Sequence, residues 1–261
     1  MVTPLTLMLS LLFLATALLY STAGFGGGST YTALLALNNV DYAMIPIISL
    51  ICNIIVVAGN VAFAHAHKLL SLSKALPLIL LSAPLSFLGG LVVISETYFL
   101  ALLAIMLFAS GMRMLLKQAP STDQALPHRT NHALSLAIGG SLGFISGVVG
   151  IGGGIFLAPA LHFLKWETPK KIAALCSLFI LVNSVFGLAG QLSKRAASGD
   201  LAASLGDIAS FWPLCLGVLI GGFVGRRVSF KMFSPAMINR VTALLILFVA
   251  MRLALRLLVP A

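Results

Sequence analysis

The residues of this chain whose types and spacing could do chemistry are two glycine runs, Gly24-Phe25-Gly26-Gly27-Gly28 and Gly150-Ile151-Gly152-Gly153-Gly154, 126 positions apart. Each follows a long apolar segment and precedes a short one. Glycine inside a helix costs about 1 kcal/mol relative to alanine, so four glycines in five positions end any helix that reaches them. In hydrocarbon a broken backbone is tolerated only where protein buries it or where it lines a polar cavity. Adjacent glycines free successive backbone N–H groups and start a new helix, whose N-terminus attracts anions. The competing reading is that the glycines only let helices approach closely. A packing seam spaces its small residues by three or four, whereas these are adjacent. The expected chemistry is therefore binding of a small anion by main-chain amides, with Gly24, Gly26, Gly27, Gly28, Gly150, Gly152, Gly153 and Gly154 supplying them.

Neutral side-chain donors complete the candidate set. Ser29 and Thr30 open the segment after the first run, where a hydroxyl also serves simply as a helix cap; both readings stand. Asn53 and Asn183 fall well inside long apolar segments. An asparagine there can be interhelical glue, but its recurrence in both halves favours a site. Ser49 lies one helical turn before Asn53 on the same face, and Ser177 precedes Asn183 by six positions. Asn60 and Gln191 stand nearer the ends of their segments and are expected at the membrane interface. The acidic residues Asp41, Glu96, Asp123, Glu167, Asp200 and Asp207 all fall near expected helix ends. None offers the mid-membrane carboxylate of a proton or Na⁺ relay. Asp41 and Glu167 are expected to favour the N-termini of the helices that follow them. His65 and His67 are two apart and do not share a helix face, and no CxxC pair occurs among Cys52, Cys176 and Cys215. No metal, no cofactor and no catalytic constellation is expected, so an enzyme is disfavoured.

The elements that must position these groups are membrane helices. The chain is 60% hydrophobic and 8% charged, with a mean hydropathy of +1.10, and apolar runs near membrane-spanning length recur from end to end. The net charge of +10 is spread between apolar runs, as loop anchors are, which excludes a nucleic-acid-binding face. The expected segments are 3–22, 29–37, 43–64, 74–94 and 98–116, then 132–149, 155–164, 169–192, 208–228 and 235–258. Pro77 is expected in the first turn of its helix. Residues 1–20 carry no basic residue before their apolar run and read as a retained membrane segment.

Features recur in order across the halves: the glycines, Asp41 and Glu167, Ser49-Leu50 and Ser177-Leu178, Asn53 and Asn183, Gly89-Gly90 and Gly221-Gly222. This divides the chain into a first transmembrane repeat, 1–116, a cytoplasmic linker, 117–131, and a second repeat, 132–261. If each broken segment crosses once, the basic residues divide evenly between the two faces. If the breaks double back, the halves are inverted, and only Lys194, Arg195, Arg252 and Arg256 of the 16 Lys and Arg fall outside. That asymmetry is the positive-inside pattern. The expected fold is an all-α polytopic protein of two inverted repeats, each opening with a Gly-rich broken helix or hairpin, with about 8 to 10 membrane segments.

With Ala158-Pro159-Ala160-Leu161 completing the second run, the chain resembles the sulfite exporter TauE/SafE family over nearly its whole length. The first run departs from the motif, with Ala33 where the proline would be. The resemblance implies bacterial plasma-membrane export of a small sulfur-containing anion, sulfite or an organosulfonate. The partners expected are that anion and the lipid bilayer, with a homodimer left open and nucleic acid excluded. Rival readings are uptake or exchange of another small anion, or a membrane enzyme or assembly factor.

Overall fold

The apolar segments fold as helices in a computed structural model, which describes residues 4–22, 24–116, 132–164, 166–227 and 235–258. The first half comprises α1 (Pro4–Thr22), α2 (Gly28–Leu37), α3 (Ile45–Ala66), α4 (Leu72–Leu91) and α5 (Glu96–Leu116). The second comprises α6 (His132–Val149), α7 (Gly154–Phe163), α8 (Pro169–Ala197), α9 (Leu201–Ser210), α10 (Trp212–Arg227) and α11 (Pro235–Leu258). The regular structure of the described residues is all α-helical. Five of these helices are long and apolar enough to cross a membrane, or six if α9 and α10 count as one bent span. The expected linker, 117–131, lies outside the described residues.

Three segments differ from the sequence expectation. The segment 208–228 is two helices, with Ser204–Ser210 and Trp212–Arg227 meeting at 52°. Pro213 has no N–H to donate and its ring crowds the carbonyl of Ala209, so the helix ends and restarts at Phe211. α4 begins at Leu72, which carries Pro77 past the first turn and leaves it, with Pro84, inside the helix. α8 runs on to Ala197, so Gln191 stands inside it rather than near its end.

Two glycine seams hold the bundle. Gly139, Gly143 and Gly147 of α6 lie on the carbonyls of Leu78, Ser82 and Ser86 of α4, so closely that a Cβ at any of them would collide. Gly217, Gly221 and Gly225 of α10 lie in the same way on Ser10, Leu14 and Leu18 of α1. Here glycine does serve close approach, at the spacing of four that a seam requires. In both seams the residue numbers of the two helices rise together, so α1 runs parallel to α10 and α6 parallel to α4.

The bundle buries a set of polar side chains within its apolar core and presents an apolar surface. Ser49, Asn53, Ser82, Ser86, Asn183 and Ser184 are fully buried, while Leu80, Phe108, Leu219, Ile220 and Phe248 face outward, each about half exposed or more. An exposed apolar belt over a hydrogen-bonding interior is the arrangement that lipid favours. Phe13 stacks on Tyr31 with ring centroids 4.5 Å apart, seating short α2 against α1. Leu157, Leu161 and Phe179 do the same for α7 against α8.

Glu167 ties the starts of α4 and α8 together through Lys74, with Lys171 3.4 Å away. The Lys74 ammonium, hydrogen-bonded to it, holds its carboxyl below the usual glutamate range. Glu167, expected from the sequence to favour the N-terminus of the helix that follows it, stands just before Thr168, the N-cap of α8, and is paired there with the two cations.

Candidate functional site at the paired helix breaks

The sequence at each break produces the same local structure. Gly27 (φ 93°) is the left-handed N-cap of α2, and Gly153 (φ 77°) stands in the equivalent place before α7. A side chain in either position would be strained. The first bonds of α2 run from Thr30 and Tyr31 to the Gly27 carbonyl, and those of α7 from Phe156 and Leu157 to that of Gly153. The amides of Gly28, Ser29, Gly154 and Ile155 precede these and have no acceptor within their helices. Gly24 and Gly150, which begin the two breaks, are both left-handed as well.

The breaks meet. A Cβ on Gly28 would fall onto the Asn53 amide and 2.5 Å from the carbonyl oxygen of Ile151 in the other break. On Gly152 it would lie 3.1 Å from Asn53 Nδ2, 3.2 Å from Ser184 Oγ and 2.8 Å from Ile180. Asn53 Nδ2 itself donates to Ile151 O at 3.3 Å. One side chain from α3 thus touches both glycine runs.

Two serines fix the breaks in a reciprocal arrangement. Ser49 of α3 lies 2.9 Å from the carbonyl of Gly150 and 3.2 Å from that of Gly28, its single proton shared between them. Ser177 of α8 donates to the carbonyl of Gly24. Each half therefore clamps the first glycine of the other half's break. Thr30 is engaged elsewhere, its Oγ1 2.9 Å from Tyr20 OH. Ser29 is buried in the first turn of α2.

Three buried polar atoms here have no hydrogen-bond partner: Asn53 Oδ1, Ser184 Oγ and Ser146 Oγ; the side-chain amide of Asn183, buried next to Ser184 in α8, has none either. Ser146 lies against Gly153 and Ser184 against Gly152. An unsatisfied buried polar group costs about 1–3 kcal/mol, so several at one junction mark a place that a polar ligand would stabilise. Ser146 and Ser184 escaped the sequence reading, because serine is common in membrane helices and neither recurs at a matching position. Asn60 and Gln191, expected at the interface, are buried instead. Asn60 donates to Phe25 O inside the first break at 3.2 Å, and Gln191 donates to Gly147 O at 2.9 Å.

A polar cavity of about 250 Å³ lies between Asn39, Asp41, Glu96 and Arg256. Arg256 is already bonded to Asn39 Oδ1 at 3.0 Å and Glu96 Oε1 at 3.2 Å. With its cation neutralised and two carboxylates in its wall, this cavity does not suit an anion.

Apolar outer faces and two broken helices meeting among buried polar side chains define a polytopic helical membrane protein. The Sulfite exporter TauE/SafE family model matches residues 9–253, and the chain belongs to that family. It is 28% identical over 249 residues to the "Probable membrane transporter protein y4hK" of Sinorhizobium fredii, covering 94% of this chain and 96% of that protein. No solved structure matches the chain. The protein is a multi-pass membrane transporter and not an enzyme.

Proposed function

We propose that this transporter exports a small sulfur-containing anion, sulfite or an organosulfonate, through a site formed by the two glycine breaks together. The observation that carries this reading is Asn53, whose side chain touches Gly26, Gly28 and Gly152 while its Oδ1 has no partner. Main-chain amides at two helix starts, with Asn53, Ser146 and Ser184 beside them and Asn183 next to Ser184 in α8, form a neutral donor set suited to an oxyanion. Ser49 and Ser177 act as positioning residues that hold the break carbonyls. In proteoliposomes the protein is expected to move at least one of sulfite, thiosulfate and sulfoacetate; flux of none of the three would sink this reading.

The repeats 1–116 and 132–261 are inverted in this account, with 117–131 cytoplasmic. Support comes from the packing directions. α3 runs parallel to α10, with Val56 beside Gly222 and Gly59 beside Arg226, and so to α1. α8 runs parallel to α4, with Asn183 beside Ser86 and Lys194 beside Val92, and so to α6. A chain crossing once at each break would instead run α3 against α1 and α8 against α6. Ser198→Cys should then react with an impermeant thiol reagent in intact cells and Ser121→Cys should not. The opposite pattern would overturn the topology.

A further inference from the structure

We propose that Arg226 forms an anion way-station beside the first break, receiving the small sulfur oxyanion before it reaches the paired glycines; this rests on the transport reading above. Arg226 stands in the last turn of α10 and lies half-buried against α3, its Nη1 3.4 Å from Val56 O. Both helices are pared to hydrogen where it lies. A Cβ on Gly59 would overlap the guanidinium, and one on Gly222 would touch Nη1 at 3.5 Å. Among the described residues the ion pairs join Glu167 to Lys74 and Lys171, Asp200 to Arg195 and Glu96 to Arg256; Arg226 is in none of them. A guanidinium has five donors in a planar fork matched to oxyanions, and one long carbonyl bond leaves most of that capacity unused. Its neighbour Arg227 behaves differently, lying exposed with its charge 4.1 Å over the Phe223 ring.

The seat connects to the site. Next to Gly59, Asn60 donates to Phe25 O, and Ser21 bridges Asn60 Oδ1 at 2.9 Å and the carbonyl of Gly222 at 3.0 Å. Phe25 precedes Gly26, where a Cβ would meet both Asn53 and Val57. Along α3, Gly59 is six residues beyond Asn53, about 9 Å at 1.5 Å per residue. That is too far for one small anion to touch both and short enough for transfer. The central donors are neutral and attract an anion only at contact, whereas an unpaired cation concentrates anions at a distance. On the proposed topology Arg226 is on the cytoplasmic side, where an exported anion enters.

An oxyanion at this seat could also be a lipid phosphate, and the test separates the two. Wild type, R226Q, R226K, G59L and R227Q are compared in liposomes of zwitterionic lipid alone and with anionic lipid added. The probe is whichever of sulfite, thiosulfate and sulfoacetate wild type moves fastest. R226Q is expected to raise the half-saturating concentration about tenfold, as loss of a charged hydrogen bond does, and only for anion presented on the face where α10 ends. R226K should recover part of this. G59L, which keeps the charge but fills its seat, should behave like R226Q and carries the test if R226Q fails to insert. R227Q should match wild type. Three results would overturn the way-station: unchanged half-saturation in R226Q and G59L, an equal loss of flux at every concentration and from both faces, or a shift confined to anionic liposomes. Wild type moving none of the three anions removes the transport reading, and this inference with it.

Discussion

Gly28→Ala is expected to cut anion flux roughly 10- to 100-fold while the protein still inserts and runs as a single species. Gly28 opens α2, and its φ is not in the left-handed region, so alanine fits the backbone and even gains about 1 kcal/mol of helix propensity. What it lacks is room. The added methyl would fall onto the Asn53 amide and 2.5 Å from Ile151 O, forcing the two breaks apart. Overpacking of this kind costs about 1–3 kcal/mol, and every 1.4 kcal/mol is a factor of ten in an equilibrium. Here the cost falls on the junction that binds the anion. Gly206→Ala is the matched control, since nothing lies within 4 Å of a Cβ there, and it should transport normally. Near-wild-type flux in G28A would show that close contact of the two breaks is not required.

The second large effect concerns energy. The candidate donors Asn53, Asn183, Ser146 and Ser184 and the break amides are all neutral, so none of them carries a compensating charge across with the anion. Each elementary charge moved through 100 mV is worth about 2.3 kcal/mol, enough to sustain roughly a 50-fold gradient of a monovalent anion. A cytoplasm negative inside therefore expels the anion without a coupled ion. In proteoliposomes an imposed potential should drive flux with no pH or Na⁺ gradient, and collapsing it with an ionophore should abolish the gradient. Flux that ignores the potential and follows a proton gradient would refute uncoupled export.

Much of this was legible in the sequence because membrane helices announce themselves locally. The apolar segment 235–258 coincides with α11 and 132–149 with α6, since a span needs only length and hydropathy. The breaks were legible for the same reason, adjacent glycines being incompatible with a helix whatever surrounds them. The break at Phe211 was not, because Pro213 sits inside an uninterrupted apolar run, and proline is tolerated or disruptive according to which turn it occupies. The roles of Ser49 and Ser177 were visible as recurrence and not as action, because each hydroxyl reaches a carbonyl more than 100 residues away in the other half. Asn60 and Gln191 misled for a related cause. Distance from a helix end does not reveal which neighbouring carbonyl an amide meets.

The central claim is that the two glycine breaks together bind the transported anion, and the most direct test is to locate that anion. Selenite, the heavier counterpart of sulfite, gives an anomalous signal in crystals of the protein grown with it. The account predicts a selenium peak at the junction of the breaks, within about 3 Å hydrogen-bonding reach of oxyanion oxygens bound by the Gly28 and Gly154 amides and Asn53. A peak instead in the cavity of Asn39, Asp41, Glu96 and Arg256, with none between Gly28 and Gly152, would contradict it.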